Sequence, residues 1–496
     1  MIRVRLAAPA AMLAAAALAG SALAYVCHPA ARGARMLALN GSVRSVVVDR
    51  GEVHFLLAGA RGCSRVAWST WTGRSVSVRS SCDVARRTSD AGLSVRVDSR
   101  GMPVLVTPTR SLPLPTFARG ATVADGIALV EATRPDGGVF AVRLRDGAFT
   151  YLGPDGRGFA PQITARGAVF HDGEDKSALR AGKTVAMFVP RPAIERRLAL
   201  TTQPLVTGGK IESLSMDGLR VALAVRDRSG RCDRVLYWNV AWRPVQRITA
   251  PYGPTCAPIG ATRLAAVGVG GFRAEWLARS AQGTRLIAGS PRCQEWVVDR
   301  LGNSRLAGLA GDGATLAFAT TTGRSTTVSV VGSNWRADRI GRESGRSVAL
   351  AADRNNIASL SQNGIADVWT RAGRSVARLR VGASRALALE GDRLAVLRAA
   401  QLAVYDVKTG SLVRTFAVPV GASGLDLQYG VAAFSVGRAA MVVDTATGRS
   451  AVVGHASRPL VGVQIEGPGL AYAWTTARSG VARFVPWLRI EAALRS

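Results

Sequence analysis

Beyond about residue 40 the chain is written in short runs in which apolar and polar residues alternate, separated by glycine, aspartate and asparagine. Alternation with a period of two predicts half-buried β-strands joined by tight turns. Helical periodicity is nearly absent after the first 26 residues.

Two units recur. The first is an aspartate, often followed by glycine, leading into an apolar strand: MDGLRVALAV from Met216, GDGATLAFAT from Gly311, ADRNNIASLS from Ala352 and GDRLAVL from Gly391. Aspartate can bond its own backbone and glycine accepts positive φ, so both suit a tight turn. The second unit is a hairpin about a glycine at Gly73, Gly147, Gly373, Gly410 and Gly448. From Asn334-Trp335 through Gly373, Gly410 and Gly448 to Pro486-Trp487, the steps are 38, 37, 38 and 38 residues. Several short strands per repeat of about 40 residues is the signature of a β-propeller blade. Each blade buries its apolar faces only against its neighbours, so repetition supplies the core. The expected fold is therefore all-β, with about 11 blade-like repeats. A single propeller typically has four to eight blades, so this number predicts two in tandem.

The least regular stretch is VPRPAIERRLALTTQPLVTGG, with Pro190, Pro192 and Pro204 interrupting the strand pattern. It divides the chain into a first propeller region at 25–189, a linker at 190–208 and a second propeller of about seven blades at 209–496. A β-sandwich array is the alternative, but it would need another cause for the near-constant period.

The turn Ser215-Met216-Asp217-Gly218 resembles the Ser-Pro-Asp-Gly turn of bacterial TolB-like and WD-like propellers, with Met in place of Pro. Asp406-Val-Lys-Thr-Gly410 and Asp444-Thr-Ala-Thr-Gly448 also resemble quinoprotein repeats, although no two cysteines here are adjacent as that cofactor site requires. The likeness covers most of residues 205–490 and implies a propeller; this architecture hosts many unrelated activities.

Residues 1–24 read as a secretory signal peptide: Arg3 and Arg5, an apolar alanine-rich run, and the small-x-small site Ala22-Leu23-Ala24. An uncleaved signal anchor is the alternative, and only then would the chain be held in a membrane. Export places the protein outside the cytoplasmic membrane, secreted or in the cell envelope. The six cysteines all follow Ala24. An even number in an exported chain points to disulfides, and Cys63 with Cys82 and Cys232 with Cys256 are the closest candidates.

Charge changes this picture less than its size suggests. The formal net charge is +31, but only four basic residues are lysines, Lys176, Lys183, Lys210 and Lys408, and the rest of the 64 are arginine. Every hundred-residue block carries part of the excess. This distribution reads as compositional bias rather than a dedicated polyanion site, so no specific nucleic-acid partner is expected. Non-specific adhesion to anionic surfaces still follows from the charge.

Candidate chemistry is sparse. The chain lacks GxSxG, HExxH, P-loop and GxGxxG signatures, and Gly268-Val-Gly270-Gly271 reads as a turn. His171-Asp172-Gly173-Glu174-Asp175 lacks the spacing of a calcium loop; His54 and His455 read as strand or turn residues. Trp68, Trp238, Trp276 and Trp369 are expected between blades. No catalytic residue, metal ligand or cofactor is assigned. The expected role is a non-enzymatic scaffold binding an unknown protein or envelope ligand. The rival is a propeller hydrolase or lyase, which would require acidic or histidine side chains to converge at a channel mouth.

Overall fold

A computed structural model describes residues 35–49, 52–59, 62–69, 72, 74–82, 93–133, 137–154, 159–171, 183–226, 233–241, 245–247, 264–267, 273–280, 283–289, 295–300, 304–312, 315–331 and 336–496. The signal segment, Cys27, Cys232, Cys256, Cys293 and the acidic group 172–175 lie outside them.

Among the described residues the strands assemble into ten four-stranded antiparallel sheets and one three-stranded sheet. Their order defines two rings. Four blades form the small ring, starting at Ser42–Asp49, Ser94–Val97, Ala118–Ala124 and Gln162–Thr164. The last of these takes its outermost strand from Arg35–Asn40, which pairs with Lys183–Pro190. Seven blades form the large ring, with inner strands Lys210–Asp217, Leu264–Val267, Arg305–Asp312, Ser347–Ala352, Ala386–Glu390, Ala422–Gln428 and Leu460–Glu466. Each inner strand adjoins the next, and the last adjoins the first. The ring is latched by Leu205–Val206, which pairs with Gly480–Pro486 as the outermost strand of blade seven. Register shifts recur near the start of inner strands, at Ile211/Ser213, Leu306/Gly308, Ser347/Ala349 and Leu460/Gly462, bending each strand at an equivalent place.

The regular hairpin glycines fall where third and outermost strands join: Gly147, Gly373, Gly410 and Gly448 all have positive φ, between 70° and 82°. Trp68, Trp238 and Trp369 are buried. Trp369 of blade four packs on blade three, where a Cβ on Gly341 would meet its indole at 2.5 Å, so the seam there needs glycine. The side chain of Trp276 lies outside the described residues.

Two stretches differ from expectation. Residues 190–208 are not irregular chain. They hold helix α1, Arg191–Thr201, followed by the latching strand, so the large ring takes up chain from residue 205. Pro190 and Pro192 sit at the start of the helix, where a missing N–H costs nothing. Ala193, Ile194 and Leu198 of α1 pack on the small ring, and Arg197 donates to the Tyr151 carbonyl at 3.0 Å. Likewise Pro486-Trp487 is not a hairpin turn but the start of helix α2, Trp487–Arg495.

Cys63 and Cys82 are disulfide-bonded, with a Cα–Cα distance of 5.2 Å. The bond ties the third strand of the first small-ring blade to the chain leaving its exposed outer strand, Ser75–Ser80. A closed loop of this length stabilises by about 3 kcal/mol. Urea unfolding of Cys82→Ser, followed by circular dichroism, is expected to show a loss of that order; an unchanged midpoint would count against a structural role.

The rings pack against each other. One apolar cluster combines Leu105, Phe140 and Phe149 of the small ring with Leu214, Trp238 and Phe484 of the large ring. Phe149 and Phe484 meet edge to face, 5.6 Å apart. Thr150 donates to the Ala241 carbonyl at 3.0 Å, and Arg100 to Glu491 of α2 at 2.6 Å.

Candidate functional site

In a four-stranded meander, the turns joining inner to second strands share one end of the ring with those joining third to outermost strands. The inner turns of the large ring bring Asp217, Asp312, Asp353, Glu390 and Glu466 to the channel mouth, with Gln428 at the equivalent place in blade six. The mouth encloses a cavity of ≈ 250 Å³, also lined by Arg220 and Arg354 and covered by Pro115, Thr116 and Phe117 of the small ring.

Several of these acids have a structural task. The Asp353 carboxylate accepts from the Asn355 and Asn356 amides at 2.7 Å and, on its other oxygen, from Gly391 of blade five at 2.8 Å. Glu390 accepts from the Tyr429 amide and from Gly430 of blade six, the latter at 3.0 Å. Asp426 accepts from Ile465 of blade seven at 2.9 Å, and the Gln464 side-chain oxygen accepts from the Met216 amide of blade one. Successive blades are thus stitched together by side-chain acceptors around the mouth. Tyr429 occupies its turn with φ 50°, a backbone conformation uncommon outside glycine.

The remaining three, Asp217, Asp312 and Glu466, face one another, with one carboxylate oxygen from each lying within 4.8 Å of the others. Burial raises the carboxyl pKa values here. Asp312 is pushed up to about 6 by desolvation, with Arg354 opposing and Asp353 reinforcing. Asp426 is pushed up to about 7 by burial, against the amides that bond it. Burial, with Asp312, Asp217 and Asp426 nearby, holds Glu466 well above the usual carboxyl range. Asp312 and Glu466 thus hold their protons more tightly than ordinary carboxyls, and with Asp217 they can supply up to three oxygen ligands to a hard cation.

From the sequence alone Asp217 and Asp312 read as turn formers, without a signal that joins them in one site. The available signal was an acidic residue at the start of the first turn in five of the seven large-ring blades. It was diluted because its chemistry varies among Asp, Glu and Gln. The described histidines do not join the site: His171 is buried in the small ring, 5.9 Å from Phe159, and His54 lies 3.6 Å from Glu52. Among the described residues, no helix is long and apolar enough to cross a membrane.

Strand order defines the class: an all-β tandem propeller. No protein-family model matches the chain, and no curated protein does. Among solved structures, it is similar to the Neurospora crassa Pan2 WD40 domain at 11% identity, covering 56% of this chain and 90% of that one with a TM-score of 0.41. A chain of a mitotic checkpoint complex gives 15% identity, 57% and 94% coverage and a TM-score of 0.41. A chain of a nidogen/laminin complex gives 13% identity, 43% and 81% coverage and a TM-score of 0.33.

Proposed function

We propose that the chain is an exported binding module whose ligand site is the acidic mouth between its two propellers. The observation that supports this reading is the convergence of Asp217, Asp312 and Glu466 on one covered cavity. Carboxyls there outnumber Arg220 and Arg354, so a small cation or a cationic side chain of a partner complements the mouth. The cavity suits an ion or one side chain rather than a polymer. The reading keeps residues 1–24 as a signal peptide, a location outside the cytoplasmic membrane, and kinship with bacterial TolB-like propellers.

Calorimetric titration with calcium, manganese and butylamine, at pH 6 and pH 8, tests the site. Binding by at least one probe is expected to tighten with pH, because the cation displaces protons. Asp312→Asn combined with Glu466→Gln should weaken it about tenfold or more, the loss expected when ligand charge is removed. No binding by any probe, or binding indifferent to both substitutions, would remove the mouth as the site.

A second reading has its own support. Carboxyls this close, with raised pKa values, are the pairing that hydrolases use for acid and base. Turnover of a polysaccharide or peptide panel by the native chain, abolished in Glu466→Gln, would replace binding with catalysis.

A further inference from the structure

The opposite end of the large ring is built differently. There, second strands join third strands, and each outermost strand leads to the next blade. These links carry Arg324, Arg346, Arg385, Arg438, Arg458 and Arg478. All six are exposed. Among the described links at this end there is no Asp or Glu, and none of the six arginines makes an ion pair with a described residue. Arginines occur at both ends, but the acids of the described turns gather at one end, which leaves the exposed arginines of the links at the other without a carboxyl among those links.

The basic end also displays apolar side chains. Val420 is 80% exposed in the link Val418–Gly421, and Val348 and Val461, at the second positions of their inner strands, are 43% and 39% exposed. The small ring covers the acidic mouth, and the basic end points away from it. An end carrying exposed arginines, isolated valines and no described acid in its links has the chemistry of a membrane-surface contact. Guanidinium groups meet anionic headgroups, while short apolar side chains enter the headgroup boundary. A purely polar polyanion would have no use for the valines.

We propose that the arginine-bearing end of the large ring docks on an anionic lipid bilayer. This contact needs no spanning segment, and it stands whether or not the acidic mouth binds a cation. It also revises the reading of the charge as bias alone.

Co-sedimentation of the mature chain with vesicles of phosphatidylcholine plus phosphatidylglycerol, against phosphatidylcholine alone, tests the proposal. Binding to the anionic vesicles only is expected, weakening with salt. At about fivefold per arginine, Arg438→Glu, Arg458→Glu and Arg478→Glu together should lower partitioning about a hundredfold. Arg374→Glu with Arg449→Glu, in turns at the acidic end, should leave it within a few-fold, and unchanged thermal unfolding would show that both variants are folded. Val420→Asn should reduce the binding that survives at high salt. Equal loss from both arginine sets would mean generic attraction and overturn the proposal, as would retention on heparin without vesicle binding.

Discussion

Trp487→Ala is expected to cost about 3–5 kcal/mol, the range for emptying a large aromatic site in a core. Trp487 is 2% exposed at the start of α2. Its indole N–H donates to the Glu466 carbonyl at 2.8 Å, and its ring lies 5.7 Å from Tyr429. Met102 and Val104 of the small ring share the same apolar cluster. The residue thus supports the junction between the rings and the acidic mouth. Denaturant unfolding should show the loss, while Trp487→Phe keeps most of the packing and gives up about 1 kcal/mol with the hydrogen bond. A loss below about 1 kcal/mol for alanine would mean that the junction does not depend on this side chain.

Stability should also fall as pH rises from about 5 to 8. Asp312 and Asp426 bind protons more tightly folded than unfolded, their pKa values rising from 3.8 to about 6 and about 7. Glu343, buried between blades three and four, is pushed from 4.5 to about 7 by burial, with Asp367 reinforcing and Arg378 opposing. Their native-state advantage is present below their unfolded pKa values and is lost as pH rises through 6 to 7. Unfolding releases these protons, so the slope of stability with pH is negative there, amounting to about 6 kcal/mol between pH 5 and 8 if the three groups titrate independently. At the acid end Asp146 acts in the opposite sense. Burial opposes its ionisation, but hydrogen bonds from Arg143 and Ala148 hold its carboxyl below the ordinary value. A midpoint measured by urea unfolding should therefore peak near pH 5, and Glu343→Gln should raise it at pH 8 but not at pH 5. A midpoint that climbs from pH 5 to 8 would contradict the burial of these acids.

The propeller was legible because its two signals are local. Alternation sets each strand, and a glycine with positive φ, as at Gly410 or Gly448, sets each hairpin. Helix α1 was not legible, because prolines at a helix start and in a broken strand look the same until the N-terminal position is known. The mouth was hidden for another reason. Asp217 and Glu466 stand at opposite ends of the large ring's stretch of sequence and meet only when the ring closes. The acid-free links of the basic end were equally invisible, because they alternate along the sequence with the acidic turns and come together only when every second turn is gathered at one end.

Each ring ends on a strand that the chain has already made. Leu205 waits for Ala482 and Arg35 for Phe188, so neither circle can be completed until its final blade has been synthesised. The small ring has all its strands by residue 190, long before the large ring can close. A chain delivered from its N-terminus would therefore have one finished circle while the other is still an open arc with unpaired blade edges. The large ring, whose closing contact spans most of its own length, is then the slow and aggregation-exposed half of folding.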